Sequence, residues 1–107
     1  MINILVIKNN QKIITIEATG HSGYAEAGSD IVCSAVSTLM QNLALGLEEV
    51  LKLSPKVIID EQIPHMCVEL SESSNEQAQV LMQTTLLSLK EVAKGYSNYI
   101  KIKEKQR

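Results

Sequence analysis

Residues 20–37 read GHSGYAEAGSDIVCSAVS, and the rest of the chain is arranged around this stretch. It holds one of the two histidines, His21, and one of the two cysteines, Cys33. Three of the five glycines also fall in it: Gly20, Gly23 and Gly28. A strand-like segment precedes the stretch and a long amphipathic segment follows it. We therefore expect His21 at the exit of a strand, Cys33 in the first turn of a helix, and a glycine-rich loop between them.

A β-hairpin is predicted upstream of this stretch. Residues 2–7 form a nearly continuous apolar run and residues 13–18 alternate between apolar and polar, with the polar residues 8–12 between them. Two such runs around a short polar turn are typical of paired antiparallel strands. In the second strand, alternation predicts that three side chains share one face: Ile14, Ile16 and Ala18.

A long helix is predicted downstream, capped by Ser29 or Asp30 and stopped by Pro55. Its apolar side chains recur every three or four residues over about five turns, which predicts one buried stripe. That stripe consists of Val32, Val36, Leu39, Met40, Leu43, Leu47, Val50 and Leu51.

The second half of the chain predicts two more strands, a helix and a last strand. Residues 57–59 and 66–70 favour short strands joined by a turn at residues 60–62. Residues 73–76, Ser-Ser-Asn-Glu, are typical of a helix start, and residues 99–103 alternate once more. The predicted buried stripe of this second helix is Ala78, Met82, Leu86, Leu89 and Ala93.

The predicted order is β-β-α-β-β-α-β, which favours an α+β fold (an α/β sandwich): a mixed sheet packed with two amphipathic helices. The length of 107 residues fits a single domain, residues 1–107. Apolar residues make up 45% and charged residues 21%, which is typical of a globular domain and not of a disordered chain. With no Phe or Trp, the core must consist of Leu, Ile, Val and Met. The pattern leaves open whether the helices lie on one face of the sheet or on both.

Charge and composition argue against nucleic-acid and membrane partners. The formal net charge of −2 provides no field to hold a polyanion, and the basic residues near the end of the chain fit a solvated edge strand. No stretch approaches the ~20 apolar residues of a membrane span, and no signal peptide is recognisable. Two cysteines without a secretory signal indicate reduced thiols and a cytoplasmic protein.

Cys33 and His21 form a candidate pair of nucleophile and general base. A thiol attacks as the thiolate, which a nearby imidazolium and the positive end of a helix both stabilise. With Asp30 as N-cap, Cys33 is the third helical residue, where backbone N–H groups lack partners within the helix. We expect those N–H groups to form an oxyanion hole. His21 would take the thiol proton and later return it to the leaving amine.

Asp30 and Ser37 are candidate supporting residues. For Asp30 a helix cap is at least as good an explanation as catalysis, because a carboxylate beside a sulfur disfavours the thiolate unless it turns toward the cap or the imidazole. Ser37 lies one helical turn beyond Cys33 on the same face and is placed to hydrogen-bond in the site, although such serines are more often simply solvated. Three glycines are more than a tight strand-to-helix connection needs. They therefore favour a loop that can open to admit a peptide chain.

Other patterns that carry chemistry are weaker. His65 and Cys67 share one face of a predicted strand and, with the pair above, would supply four metal ligands, but no CxxC or HxxxH spacing supports a metal site. We therefore expect neither a metal nor a cofactor, and no disulfide between the two cysteines in a reducing compartment. A cysteine phosphatase would need an arginine at the position of Leu39.

The run G-H-S-x5-G-S-D-I-V-C-S-A-V-S resembles the signature of the ribosomal-processing cysteine protease (Prp) family, roughly G-H-A-x5-G-x-D-x-V-C-A-x-V-S. Every spacing matches, and the signature covers about a sixth of the chain. The small size and the predicted order agree with the family over the remainder. The departures are Ser22 and Ser34, where alanine is usual. Both are small, so we expect neither to block the chemistry, although a change in hydrogen bonding near the nucleophile is expected from Ser34.

The resemblance implies roles for individual residues. It implies Cys33 as the nucleophile and His21 as the general base. It places Asp30 and Ser37 on the other polar positions of the motif. Its glycines fall on Gly20 and Gly28.

The resemblance also implies a substrate and an assembly. Members of the family remove the N-terminal extension of a large-subunit ribosomal protein, cleaving after a hydrophobic stretch that contains paired phenylalanines. A homodimer is implied as well. Because this chain lacks Phe and Trp, its pocket for those rings would be aliphatic or would use Tyr24. The alternative from another class is a non-enzymatic module that binds the ribosome.

Overall fold

The computed structural model describes residues 1–26, 30–60 and 64–107. These residues form five strands and two helices: β1 (Ile2–Asn9), β2 (Lys12–Thr19), α1 (Ile31–Leu45), β3 (Lys56–Asp60), β4 (His65–Glu69), α2 (Glu76–Gly95) and β5 (Ile100–Gln106). The predicted order of elements is confirmed. The strands β1, β2, β3 and β5 are each two residues longer than predicted, with β5 beginning one residue later, and β4 is shifted by one residue toward the N-terminus.

The strands form one mixed sheet in the order β3-β4-β2-β1-β5. Neighbouring strands are antiparallel except β5, which pairs with β1 in parallel and lies at an edge, as predicted. Because β4 pairs with β2, Thr19 at the end of β2 lies beside His65 at the start of β4. This pairing brings the exit of β2, which leads to His21, next to the β3–β4 connection.

Both helices pack on the same face of the sheet, which answers the question that the sequence pattern leaves open. One cluster of buried side chains joins α1 and α2 to a single face of four strands. Its largest fully buried members are Ile4, Ile13, Ile16, Met40, Leu43, Leu47, Leu70, Met82 and Leu89. On the opposite face of the sheet, Leu5 and Ile7 of β1 remain only half-buried.

A β-bulge in β2 changes the predicted face assignment. The register of the β1–β2 pair shifts after Ile7, so that Thr15 lies opposite Ile7 while Ile13 lies opposite Lys8. The extra residue, Ile14, has no partner of its own, which is the defining feature of a bulge. The core therefore receives Ile13 beside Ile16 and Ala18, and the strict alternation that placed Ile14 in that set is wrong.

The end of α1 widens into a π-helical turn, Gly46–Val50. A π-turn adds residues to the helical repeat, so side chains beyond it rotate relative to the preceding stripe. Val50, predicted to belong to the buried stripe, is consequently 75% exposed, whereas Leu47 stays fully buried. A Cβ on Gly46 would lie 2.9 Å from a side-chain carbon of Leu81, so the glycine allows α2 to approach closely here.

The helical stretch Ile31–Val50 has the length and apolar composition of a membrane span, contrary to the expectation from the sequence. Core helices of globular domains can have the same length and apolar composition. Here Val32, Val36, Met40 and Leu43 of that stretch belong to the buried core, whereas Ile31, Leu45 and Val50 are more than half exposed.

Candidate active site

The N-terminus of α1 is capped by a buried carboxylate. Asp30 has an extended backbone (φ −83°, ψ 99°), and its Oδ1 accepts hydrogen bonds from the N–H groups of Val32 at 3.0 Å and Cys33 at 2.9 Å. The prediction of Asp30 as the helix cap is confirmed; the alternative cap, Ser29, lies outside the described residues. Cys33 is consequently the third helical residue, as expected.

The cap occupies the donors that we expect from the sequence to form an oxyanion hole. The N–H groups of Val32 and Cys33 donate to the Asp30 side chain, and the N–H of Ser34 donates to the Asp30 carbonyl at 3.1 Å. An amide that already has a partner is not open to a substrate oxygen. The oxyanion-hole prediction is therefore wrong for the amides of Val32 and Cys33, while the Ser34 amide makes an ordinary helical hydrogen bond.

The sulfur of Cys33 receives a hydrogen bond from the preceding loop. The backbone N–H of Ser22 donates to Cys33 Sγ at 3.4 Å. The Ser22 hydroxyl donates to Asp30 Oδ2, and the N–H of Tyr24 donates to Ser22 Oγ at 3.0 Å. Ser22 and Asp30 are 4% and 7% exposed. One buried hydroxyl–carboxylate contact thus ties the loop to the start of α1.

Hydrogen bonding keeps Asp30 ionised although it is buried. Burial by itself raises the pKa of Asp30, but the bonds from the Ser22 hydroxyl and from the backbone and side chain of Cys33 outweigh it. Together with the N–H of Ala25, they lower the pKa of Asp30 to about 2. The carboxylate thus bonds to the cap, to the loop and to the side chain of Cys33.

Gly20 lies where β2 leaves the sheet and is required there for steric reasons. Its φ is +90°, and a Cβ would lie 2.6 Å from the carbonyl oxygen of Met1. Its N–H donates to the carbonyl of Pro64 at 2.9 Å, which fixes the loop beside the start of β4. Gly23 also has a positive φ, +76°, whereas the third predicted loop glycine, Gly28, lies outside the described residues.

A cavity of about 640 Å³ lies at this end of the sheet, and both His21 and Cys33 line it. The structure therefore brings the two predicted catalytic residues to one cavity. His21 is exposed, and in residues 1–26, 30–60 and 64–107 its ring makes no hydrogen bond or ion pair. The imidazole is thus able to turn toward the sulfur or toward a bound peptide.

The cavity has a polar rim and an aliphatic floor. Its other polar lining residues are Asp30, Ser34, Ser37, Thr38, Asp60 and His65. Its floor is formed by side chains on the helix-facing side of the sheet: Ile2, Ala18, Ile59 and Met66. An apolar substrate side chain therefore has a complementary surface next to the cysteine.

Of the two further candidates for the site, Ser37 lines the cavity and Tyr24 does not. Ser37 lines the cavity, and its Oγ accepts a hydrogen bond from Gln41 Nε2 at 2.8 Å. The Tyr24 ring instead packs edge-to-face on Tyr96 and Tyr99, with centroid distances of 5.6 and 5.2 Å. Among the described residues, the cavity lining does not include Tyr24, and its large apolar side chains are Ile2, Ile59 and Met66.

His65 lines the cavity, whereas from the sequence we consider it only as a possible metal ligand. Its Nε2 lies 2.6 Å from Glu17 Oε2, and in the sheet it is paired with Asp60 on β3 and Thr19 on β2. Its position at the first residue of β4, directly after the turn, was the available signal. This position predicts a place in the cavity only when the pairing of β4 with β2 is known.

Cys67 lies in a different environment from Cys33. It is a free thiol, 8% exposed in mid-strand, and burial raises its pKa; the carboxylates of Glu17 and Glu69 raise it further, while Lys56 lowers it. Cys33 is also a free thiol. Within the described residues, no three His, Cys, Asp or Glu side chains are grouped so that they could hold a metal ion.

Comparisons with known proteins give one family. The family model described as cysteine protease Prp matches residues 1–101. A Staphylococcus aureus protein named ribosomal processing cysteine protease Prp is 26% identical over 106 residues, covering 98% of this chain and 100% of the relative. A Streptococcus mutans crystal structure superposes with a TM-score of 0.88 at 32% identity, covering 100% of this chain and 96% of the other. The S. aureus processing protease Prp, crystallised with a covalently linked product peptide, gives a TM-score of 0.86 at 26% identity over 98% and 100% of the two chains.

Proposed function

The chain belongs to the cysteine protease Prp family, and from that premise we propose the residues, the substrate and the assembly through which it acts. It is a cysteine protease. We assign Cys33 as the nucleophile and His21 as the general base. Asp30 supports them as helix cap, and Ser37 contributes to the cavity wall.

The proposed reaction is acyl transfer through the sulfur of Cys33. His21 takes the thiol proton, and the thiolate attacks the carbonyl carbon of the scissile bond to form a C–S bond. When the tetrahedral intermediate collapses, the C–N bond breaks and the leaving amine receives the proton from the His21 imidazolium. A water molecule, deprotonated by the same imidazole, then hydrolyses the thioester and releases the second product.

The assignment of the base rests on the chemistry of the two candidates. The pKa of Asp30 is lowered to about 2, so its carboxylate is a poor acceptor for a thiol proton at neutral pH. Its oxygens are also occupied by the cap and by Ser22. An exposed imidazole on the same cavity is the better base, and that shared cavity is the observation that carries the proposal.

The proposed substrate is the N-terminal extension of a large-subunit ribosomal protein, cleaved after a hydrophobic stretch. The S. aureus relative is named a ribosomal processing protease and was crystallised with a product peptide attached covalently. In this chain the cavity floor of Ile59 and Met66 favours apolar side chains, including aromatic rings, beside Cys33. The ring pocket is therefore aliphatic, and Tyr24 is not part of it.

We also propose that the protein works in the cytoplasm as a homodimer, as the family resemblance implies. The sheet face opposite the helices supports this assembly, because the half-buried side chains of Leu5, Ile7 and Ile58 lie on it. Light scattering on the purified protein is expected to give twice the mass of the chain. A monomer at micromolar concentration would contradict the dimer without affecting the proposed chemistry.

The experiment that tests the function is a cleavage assay with a peptide that carries a hydrophobic extension containing Phe-Phe. The wild type is expected to cleave it, whereas Cys33→Ala should bind the peptide and leave it intact. Cys67→Ala serves as the matched control and should cleave at the wild-type rate. A non-enzymatic binding module would bind the peptide equally in all three forms and cleave it in none.

A further inference from the structure

Ser22 is the side chain around which the active-site loop is organised. It is 4% exposed, and both of its hydrogen-bond donors have partners at the start of α1. The hydroxyl donates to Asp30 and accepts from the Tyr24 N–H, while the backbone N–H donates to Cys33 Sγ at 3.4 Å. None of the roles assigned above belongs to this residue.

The two donors of Ser22 act on the same end of α1. The hydroxyl is fixed to Asp30 Oδ2, and Asp30 is itself fixed to the helix through the N–H groups of Val32 and Cys33. The position of the Ser22 amide relative to the helix is therefore set by its own side chain. Without the hydroxyl, residues 20–24 would lose their direct side-chain link to the cap.

The Ser22 amide matters for the sulfur because the other nearby amides are in use. Val32 and Cys33 donate to the cap, so their N–H groups are not directed at Sγ. A hydrogen bond to an ionised acceptor is about twice as strong as one between neutral groups, so the Ser22 N–H bonds the sulfur more strongly once the proton has left, while Asp30 bonds to the same side chain. The charged and titratable groups that share the cavity with Cys33 are His21 and Asp30 on the loop side and Asp60 and His65 from β3 and β4.

We propose that Ser22 is a positioning residue for the nucleophile: its hydroxyl holds the loop on Asp30 so that its backbone N–H points at Cys33 Sγ. This inference rests on the proposed function, because it assigns Ser22 a role in preparing Cys33 for attack. Ser22 itself does not touch the substrate and transfers no proton.

The test measures the rate at which iodoacetamide alkylates Cys33 as a function of pH. A Cys67→Ala background leaves Cys33 as the single thiol of the chain. Ser22→Ala is expected to shift the midpoint of the profile upward by roughly one pH unit, which makes alkylation about 10-fold slower at pH values below both midpoints. The value of kcat/KM for peptide cleavage should fall similarly at neutral pH and recover at high pH.

Thr85→Val is the matched control, because Thr85 is also buried and its hydroxyl donates a hydrogen bond, to the carbonyl of Leu81 at 2.8 Å. This variant loses a buried hydroxyl on α2, outside the cavity lining, and should keep the wild-type alkylation midpoint. An unchanged midpoint in a folded Ser22→Ala variant overturns the proposal. So does an equal shift in Thr85→Val, since the effect would then be one of general stability.

A second measurement on the Cys67→Ala protein alone does not depend on the folding of any Ser22 variant. The backbone amide resonance of Ser22 should move with pH at the midpoint at which Cys33 is alkylated, because its N–H is bonded to the titrating sulfur. An amide signal that ignores this midpoint overturns the proposal. If the protein shows the Ser22 effects yet cleaves no peptide, the proposed function fails while the positioning of the thiol stands.

Discussion

Cys33 lies at the start of a helix and lines a cavity, whereas Cys67 lies in mid-strand between two glutamates. The sulfur of Cys33 accepts a hydrogen bond from the N–H of Ser22, and the carboxylate of Asp30 bonds both to the helix cap and to the Cys33 side chain. Burial raises the pKa of Cys67, and the carboxylates of Glu17 and Glu69 raise it further. The two thiols thus differ in their surroundings: a backbone N–H donates to Cys33, whereas Cys67 is buried beside negative charges.

The comparison teaches that the fold, through the neighbours it supplies, separates a reactive thiol from an inert one. It extends to the two histidines. His21 follows β2 and is exposed in the cavity, while His65 opens β4 and is bonded to Glu17. In each pair, the residue that follows β2 or begins α1 lines the cavity, whereas its counterpart lies on β4 beside Glu17.

The largest expected effect comes from the histidines. His21→Gln should lower kcat/KM for the Phe-Phe peptide by about 10²–10⁴-fold, because the thiol loses the base that takes its proton. His65→Gln keeps an amide that can bond to Glu17 and should act mainly on KM, since His65 lines the cavity. Steady-state kinetics on both variants checks this ordering. If kcat fell as much in His65→Gln as in His21→Gln, the assignment of His21 as the general base would be contradicted.

The next effect concerns the cysteines directly. At pH 7 iodoacetamide should label Cys33 about 100-fold faster than Cys67, because the Cys67 thiol is both buried and kept protonated by its surroundings. Labelling of Cys33 should already be rapid well below pH 8.5. Mass spectrometry of the two cysteine-containing peptides over time gives both rates from one sample. Equal rates that follow an ordinary thiol profile would remove the contrast between the two sites.

The arrangement of Cys33 could largely be predicted from the sequence, because its determinants are local. The apolar spacing that begins at Val32 defines the helix, and Asp30 is a strong cap residue directly before it. The place of Cys33 in the first turn follows from these two facts. Hairpin, helices and element order follow from equally local patterns.

What could not be predicted depends on contacts between distant segments. The cavity position of His65 follows from the pairing of β4 with β2, and the placement of both helices on one face depends on the whole core. The bulge at Ile14 arises from the register of two strands. The role of Ser22 follows from the folding of its loop onto the helix, for which a single serine gives no sequence signal.

A smaller effect is expected for the stability of the Cys33 end in acid. The pKa of Asp30 is lowered from 3.8 to about 2 in the folded protein. A carboxyl group whose pKa is lower in the folded than in the unfolded protein stabilises the fold at pH values above its unfolded-state pKa. This stabilisation is lost as the pH falls through the folded-state pKa. Wild type should therefore lose about 2 kcal/mol of unfolding free energy between pH 5 and pH 2 that Asp30→Asn does not lose.

Denaturant unfolding at several pH values measures this difference. Glu48→Gln is the matched control, because it removes an exposed carboxylate from the far end of the same helical segment. This variant should follow the wild-type acid profile. If Asp30→Asn follows it as well, the buried hydrogen bonds of Asp30 do not stabilise its charge.

The smallest expected effect is at Cys67 and tests why that thiol is inert. Burial is the larger cause of its raised pKa and the carboxylate of Glu17 a lesser one, so Glu17→Gln should speed alkylation only about three-fold. Lys56→Gln should slow it by a similar factor, because the lysine charge opposes the carboxylates. Both variants are measured in a Cys33→Ala background. Small changes of the alkylation rate in opposite directions would show that charge affects the reactivity of Cys67 less than burial does. An increase as large as the gap between Cys67 and Cys33 would instead make charge, and not desolvation, the dominant difference between the two sites.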